Sequence, residues 1–193
     1  MRRICVFCGS SQGSRPEYRQ AAEELAAELV RHGMGLVYGG GNVGLMGILA
    51  NRVLASRGEA IGVIPEQLMQ LEVGHNGLTK LHVVRSMHER KALMADLSDA
   101  FIALPGGFGT FEEFCEMVTW TQLGLQAKPC GILNVLGYYS QLLAMFDHAV
   151  EEQFLKPQNR ALVLARDSVP GLLQALELWR PVQVEKWLDR EVR

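Results

Sequence analysis

The chain has 193 residues, 48% of them hydrophobic and 21% charged, with a formal net charge of −2. That size and balance fit one globular domain with its own core and exclude a disordered chain. Acidic and basic residues are interspersed, without the basic face of a nucleic-acid binder.

The stretch Ile4-Cys5-Val6-Phe7-Cys8 after Met1-Arg2-Arg3 is too short for the apolar region of a signal peptide, and Gly9 ends it. No run reaches the about 18 apolar residues of a membrane span. The four cysteines, Cys5, Cys8, Cys115 and Cys130, are therefore expected to be reduced and the protein cytoplasmic. In chain order, residues 2–8 read as a strand and 16–32 as a helix ending at Gly33. Residues 36–38 form a second strand, followed by the glycine-rich stretch 39–47 and a helix to about Arg57. A third strand at 59–64 is closed by Pro65, a fourth spans 80–84, and a helix covers 87–98. A fifth strand at 100–104 runs into Pro105-Gly106-Gly107, with a helix from Thr110 to about Gln122. A sixth strand at 130–134 precedes a helix over 138–153. A candidate seventh strand at 162–165 and a helix over 169–178 lead to an amphipathic C-terminal tail, expected to be helical, over about 179–193.

Several strands, such as Phe101-Ile102-Ala103-Leu104, are continuously apolar, as parallel strands buried on both faces are. Alternation with helices predicts a single α/β domain over 1–193, with a Rossmann-like, doubly wound, mainly parallel sheet flanked by helices. Ligands of such sheets sit beyond the carboxyl ends of the strands. Three small or glycine-rich turns fall on that edge, at 8–11, 38–42 and 104–110. Their bare amides, beside helix N-termini, suit a phosphorylated small molecule, which makes Ser10, Gly40 and Gly41 candidate contacts.

Gly39-Gly40-Gly41-Asn42-Val43-Gly44 satisfies G-x-G-x-x-G but follows the second strand. The acid that a dinucleotide site wants about 20 residues on is misplaced, since Glu59 precedes the third strand and Glu66 follows its proline. A phosphate or ribose contact is favoured over a dinucleotide, with a purely structural turn still open. Cys5 and Cys8, three apart in a strand, point to opposite faces, so core thiols are expected in place of a redox pair. The five histidines show no metal-ligand spacing, so neither a metal nor another cofactor is expected. Thr110-x-x-Glu113 reads as a capping box, with Thr110 as the cap. Glu116, one turn on, would share the face of Glu113 as a fallback acid, whereas Glu112 would point elsewhere.

Met87-His88-Glu89-Arg90-Lys91 followed by Pro105-Gly106-Gly107-x-Gly109-Thr110-x-x-Glu113 resembles the Lonely guy family, the cytokinin riboside 5′-monophosphate phosphoribohydrolases once labelled lysine decarboxylases. Cys8-Gly9-Ser10-Ser11 and Tyr38-Gly39-Gly40-Gly41 extend the resemblance over nearly the whole chain. It implies hydrolysis of the N-glycosidic bond of purine riboside 5′-monophosphates, AMP or cytokinin-type, to free base and ribose 5-phosphate. It further implies Arg90 and Glu113 as the catalytic pair. Glu72, Lys91, Gly106, Gly107, Phe108, Gly109, Thr110, Phe111, Glu112 and Thr119 would line the nucleotide site. Family likeness also implies a homodimer with sites near the subunit interface. The residue types suit the reaction: a carboxylate can stabilise oxocarbenium charge or orient water, an arginine can hold phosphate or the departing base, and the amides of 106–110 can cradle the 5′-phosphate.

Two other readings compete. A pyridoxal-phosphate decarboxylase needs a Schiff-base lysine, and of Lys80, Lys91, Lys128, Lys156 and Lys186 only Lys91 sits in a motif. A non-catalytic nucleotide or molybdenum-cofactor carrier could use the same fold, but mere binding does not demand the Arg90/Glu113 pair.

Overall fold

The computed structural model describes residues 1–69, 74, 75 and 77–181. Among these, seven short apolar runs become strands: β1 (Arg3–Phe7), β2 (Gly35–Tyr38), β3 (Ala60–Pro65), β4 (Lys80–Val84), β5 (Ala100–Ala103), β6 (Cys130–Leu133) and β7 (Val163–Arg166). They pair in parallel in the order β4-β3-β2-β1-β5-β6-β7. β1, β2, β3, β5 and β6 are almost wholly buried, which explains their lack of polar alternation. The edge strand β4 has no fully buried residue, with Lys80 and Val83 exposed.

The helices are α1 (Pro16–Arg31), α2 (Gly44–Ala55), α3 (Met87–Asp96), α4 (Phe108–Gln122), α5 (Ser140–Glu151), the single turn α6 (Pro157–Arg160) and α7 (Val169–Leu178). One core joins α1, α2 and α7 to the sheet through Leu25, Leu29, Leu49, Val53, Leu172 and Leu176. The opposite core joins α3, α4 and α5 through Met94, Phe114, Met117 and Tyr139, with Leu142 and Phe146 packed on its margin. Cys5 belongs to the second core and Cys8 to the first, so their thiols lie on opposite faces of the sheet, and all four cysteines are free.

Strand boundaries agree with the sequence pattern to within one or two residues. One expectation changes: α4 begins at Phe108, two residues before Thr110. After α7, Trp179 is extended at φ −60°, ψ 142°, and Pro181 follows, a residue that disfavours helix before it. The helical tail expected over about 179–193 lies, from 182 on, outside the described residues. Single helical turns at Glu66–Leu68, Val135–Gly137 and Pro157–Arg160 carry too few residues for a periodic signal.

The β1 and α2 ends meet closely. Gly44 has φ +56°, and a Cβ there would lie 2.2 Å from the carbonyl carbon of Ser10. Leu45 N–H donates to Gly9 O at 3.0 Å, locking the contact. Replacing Gly44 with alanine is expected to destabilise the fold by about 2–4 kcal/mol, from backbone strain and overpacking together. Chemical denaturation checks this, and an unchanged midpoint would contradict the packing.

Candidate active site

The strand order reverses between β1 and β5, where the crossovers leave to opposite faces of the sheet and open a crevice at the strand ends. The turns after these strands touch: Gly9 N–H donates to Pro105 O at 3.0 Å. A Cβ on Gly106 would collide with Thr110 Oγ1 at 2.1 Å and approach Gly9 N at 2.9 Å, so glycine is required for that contact. Beyond it, Gly107 and Gly109 have open space where a side chain would project, and Phe108 stands 91% exposed.

Across the crevice, α3 delivers Arg90. Ser86 caps the helix by accepting from Glu89 N–H at 3.2 Å, while Glu89 Oε2 accepts from Arg85 N–H at 2.8 Å. This reciprocal cap fixes the first turn of α3. Arg90 is only 5% exposed, yet its guanidinium is well supplied with acceptors. Nε donates to Val63 O at 3.1 Å and Nη2 to Gly39 O at 3.2 Å, while Nη1 lies 3.7 Å from Met87 Sδ. Nη1 is also 3.5 Å from Oε1 of Glu113, which α4 carries and which is 8% exposed. A charge so buried requires a counter-charge and hydrogen bonds, and the ends of β2 and β3 together with α4 supply them.

Lys91, 6% exposed, forms a second cross-link between the same helices. Its Nζ contacts Glu112 and lies 2.8 Å from Glu116 Oε2. Burial opposes the ammonium, but hydrogen bonds and charges from both carboxylates outweigh it and raise the lysine pKa above its ordinary value. Glu112 and Glu116, four apart, share one face of α4, so Lys91 faces those two and Arg90 faces Glu113.

Several expectations are thereby corrected. Thr110 is no cap and no capping box forms: Gly107 holds the N-cap position without a side-chain hydrogen bond, and Thr110 is the third helical residue. The physical reason is the anchored approach turn, which lets the helix begin earlier than the Thr-x-x-Glu pattern indicates. Glu112 does not point elsewhere, because it reaches Lys91. Glu116 joins it there and is not a substitute beside Glu113.

The remaining candidates divide. Gly106, Gly107, Phe108, Gly109 and Thr110 form the turn and first helical residues described above. Ser10 is exposed beside Gly44. Gly40 and Gly41 are buried, with Gly40 O accepting from His75 N–H at 3.0 Å and Gly41 bridging Gly74. Phe111 packs edge-on against Tyr139 at 5.9 Å, and Thr119 is exposed with its hydroxyl donating to Cys115 O at 2.8 Å. Neither of these two contacts involves Arg90 or Glu113. Glu72 lies outside the described residues.

Sequence reasoning missed the support. The carbonyls of Gly39 and Val63 carry no residue-type signal. Tyr138 and Tyr139, whose hydroxyls reach Gly106 O and Leu104 O, come from the β6–α5 connection and belong to no motif. Ser86-x-x-Glu89 is the one sequence signal that marks this support, a cap signature at the start of α3. Burial raises the Cys8 thiol pKa strongly and the Glu113 charge adds to it, so Cys8 is a poor nucleophile. Among the described residues no group of three His, Cys, Asp or Glu could hold a metal, and no helix is long and apolar enough to cross a membrane.

A family model described as possible lysine decarboxylase matches residues 46–176. A probable cytokinin riboside 5′-monophosphate phosphoribohydrolase of Oryza sativa subsp. japonica is 53% identical over 181 residues, 94% of this chain and 80% of that protein. A cytokinin riboside 5′-monophosphate phosphoribohydrolase of Arabidopsis thaliana is 49% identical over 180 residues, 93% of this chain and 84% of that protein. Among solved structures, the molybdenum cofactor carrier protein of Chlamydomonas reinhardtii superposes with a TM-score of 0.70 at 20% identity, covering 91% of this chain and 96% of that one. At that identity the likeness is one of fold.

The Lys91 cross-link has a measurable energy. A double-mutant cycle with Lys91→Met and Glu116→Gln is expected to give a coupling of about 1 kcal/mol or more in unfolding free energy, since the pair is largely shielded from water. A coupling near zero would mean the ammonium and carboxylate do not act on each other.

Proposed function

The chain belongs to the Lonely guy family of cytokinin riboside 5′-monophosphate phosphoribohydrolases, and we propose that it hydrolyses the N-glycosidic bond of purine riboside 5′-monophosphates to free base and ribose 5-phosphate. The observation that carries this reading is the buried Arg90–Glu113 pair at the strand ends, beside an open, uncapped helix N-terminus. Departure of the base leaves positive charge on the ribose, and a carboxylate held in a low-dielectric site stabilises it and orients the attacking water. Glu113 has that role. Arg90 holds Glu113 in place. Two of its five N–H donors go to Gly39 and Val63, which leaves the Nη1 side for Glu113 and the substrate. The first amides of α4 and its positive dipole end receive the 5′-phosphate. The nucleotide should therefore be a far better substrate than the nucleoside.

Lysine chemistry is disfavoured. A Schiff-base lysine must lose its proton readily, whereas two carboxylates raise the pKa of Lys91. The carrier reading has the fold in its favour but offers no use for a buried carboxylate–guanidinium pair.

We also read the protein as a homodimer. α5 has no fully buried residue: Leu142, Leu143 and Phe146 are only partly covered by the chain's own core and Met145 is exposed, which leaves apolar surface for a second copy to cover. The four free thiols fit a reducing compartment, the cytoplasm.

Incubation with AMP or isopentenyladenosine monophosphate, followed by chromatography, tests the activity. Base and ribose 5-phosphate are expected in equal amounts, and Glu113→Gln should lower the rate by about 100-fold or more. The faster of the two nucleotides identifies the physiological class. Undiminished turnover in Glu113→Gln would remove Glu113 from the chemistry.

A further inference from the structure

The turn that leads into α4 has three successive carbonyl oxygens, and each is held from outside the turn. Leu104 O accepts from the Tyr139 hydroxyl at 2.7 Å, Pro105 O from Gly9 N–H at 3.0 Å, and Gly106 O from the Tyr138 hydroxyl at 2.5 Å. In a trans peptide the carbonyl and the following N–H point in opposite directions, so a donor that fixes one aims the other. Gly9 thereby aims the amide of Gly106, and Tyr138 aims the amide of Gly107. Tyr139 aims none, because the residue after Leu104 is proline.

The Gly106–Gly107 peptide is the one most in need of such a hold. Its Gly106 end is tightly packed, but a Cβ at Gly107 would meet nothing within 4 Å, so packing does little to hold the side of the peptide that faces the crevice. The hydroxyl that fixes it is itself braced. The Tyr138 ring packs edge-on against Tyr18 of α1 at 5.8 Å and against Tyr139 at 5.0 Å. At 38% exposure Tyr138 is not simply a core residue.

We propose that Tyr138 is a positioning residue for phosphate recognition: its hydroxyl holds the Gly106–Gly107 peptide so that the Gly107 N–H faces the 5′-phosphate of the substrate. The inference rests on the reading that this turn receives the phosphate. Without the hydroxyl, the Gly106 carbonyl loses its anchor, and the peptide tilts so that the Gly107 N–H turns away from the phosphate in part of the population.

The test compares AMP with adenosine in the wild type, Tyr138→Phe and Tyr139→Phe, with thermal melting of each. Tyr138→Phe is expected to raise KM for AMP at least tenfold and to leave kcat/KM for adenosine within twofold, with an unchanged melting temperature. Tyr139→Phe should lower the melting temperature, because a buried carbonyl loses its donor, and keep the wild-type preference for AMP. Titration calorimetry with ribose 5-phosphate should show the same weakening in Tyr138→Phe without any need for turnover. A KM for AMP within twofold of the wild type, or equal losses on AMP and adenosine, would overturn the role of Tyr138. A wild type that neither prefers AMP nor binds ribose 5-phosphate would overturn the phosphate reading itself, and the inference with it.

Discussion

A guanidinium buried in a protein interior has to be surrounded by acceptors, and the placement of Arg90 organises this site. Its neighbours are main-chain carbonyls at the ends of two central strands and a carboxylate on the facing helix. That requirement dictates a residue with no side chain at Gly39, where a Cβ would lie 2.1 Å from Arg90 Nη2. It also requires α3 and α4 to face each other in a fixed register, which Lys91 reinforces through Glu112 and Glu116. Removal of either arginine or carboxylate would leave a buried charge uncompensated, a larger penalty than the pair's own net contribution to stability.

The sheet supplies the other half. Because the crossovers diverge between β1 and β5, the turns after these strands can pack together, and glycine lets their backbones touch. The α4 N-terminus then begins at the rim of the crevice without a capping side chain. An uncapped end leaves its first amides available to a ligand. The site thus combines a turn fixed by backbone contacts with a charged pair fixed by two helices, and the proposed function gives the first to the phosphate and the second to the reacting bond.

Much of this is legible in the sequence. Buried parallel strands announce themselves as apolar runs, and glycine-rich turns at their ends mark the functional edge. The pairing of Arg90 with Glu113 is implied by the family resemblance that the two motifs carry. Other features leave no local trace. The early start of α4 depends on contacts from Gly9 and the tyrosines, which override a Thr-x-x-Glu pattern that is valid in isolation. The engagement of Lys91 by Glu112 and Glu116 is a contact between helices, invisible to spacing along either one. The anchors of Arg90 are carbonyl oxygens, which every residue possesses.

Under the proposed function, Arg90 acts through the geometry of its planar fork, not merely through its charge. Arg90→Lys keeps the charge but cannot serve Val63, Gly39 and Glu113 from one rigid group. The direct measurement is kcat/KM for AMP in this variant beside the wild type. A loss of about 100-fold or more is the expected result. A value within tenfold of the wild type would contradict this role of the fork, because a point charge would then suffice.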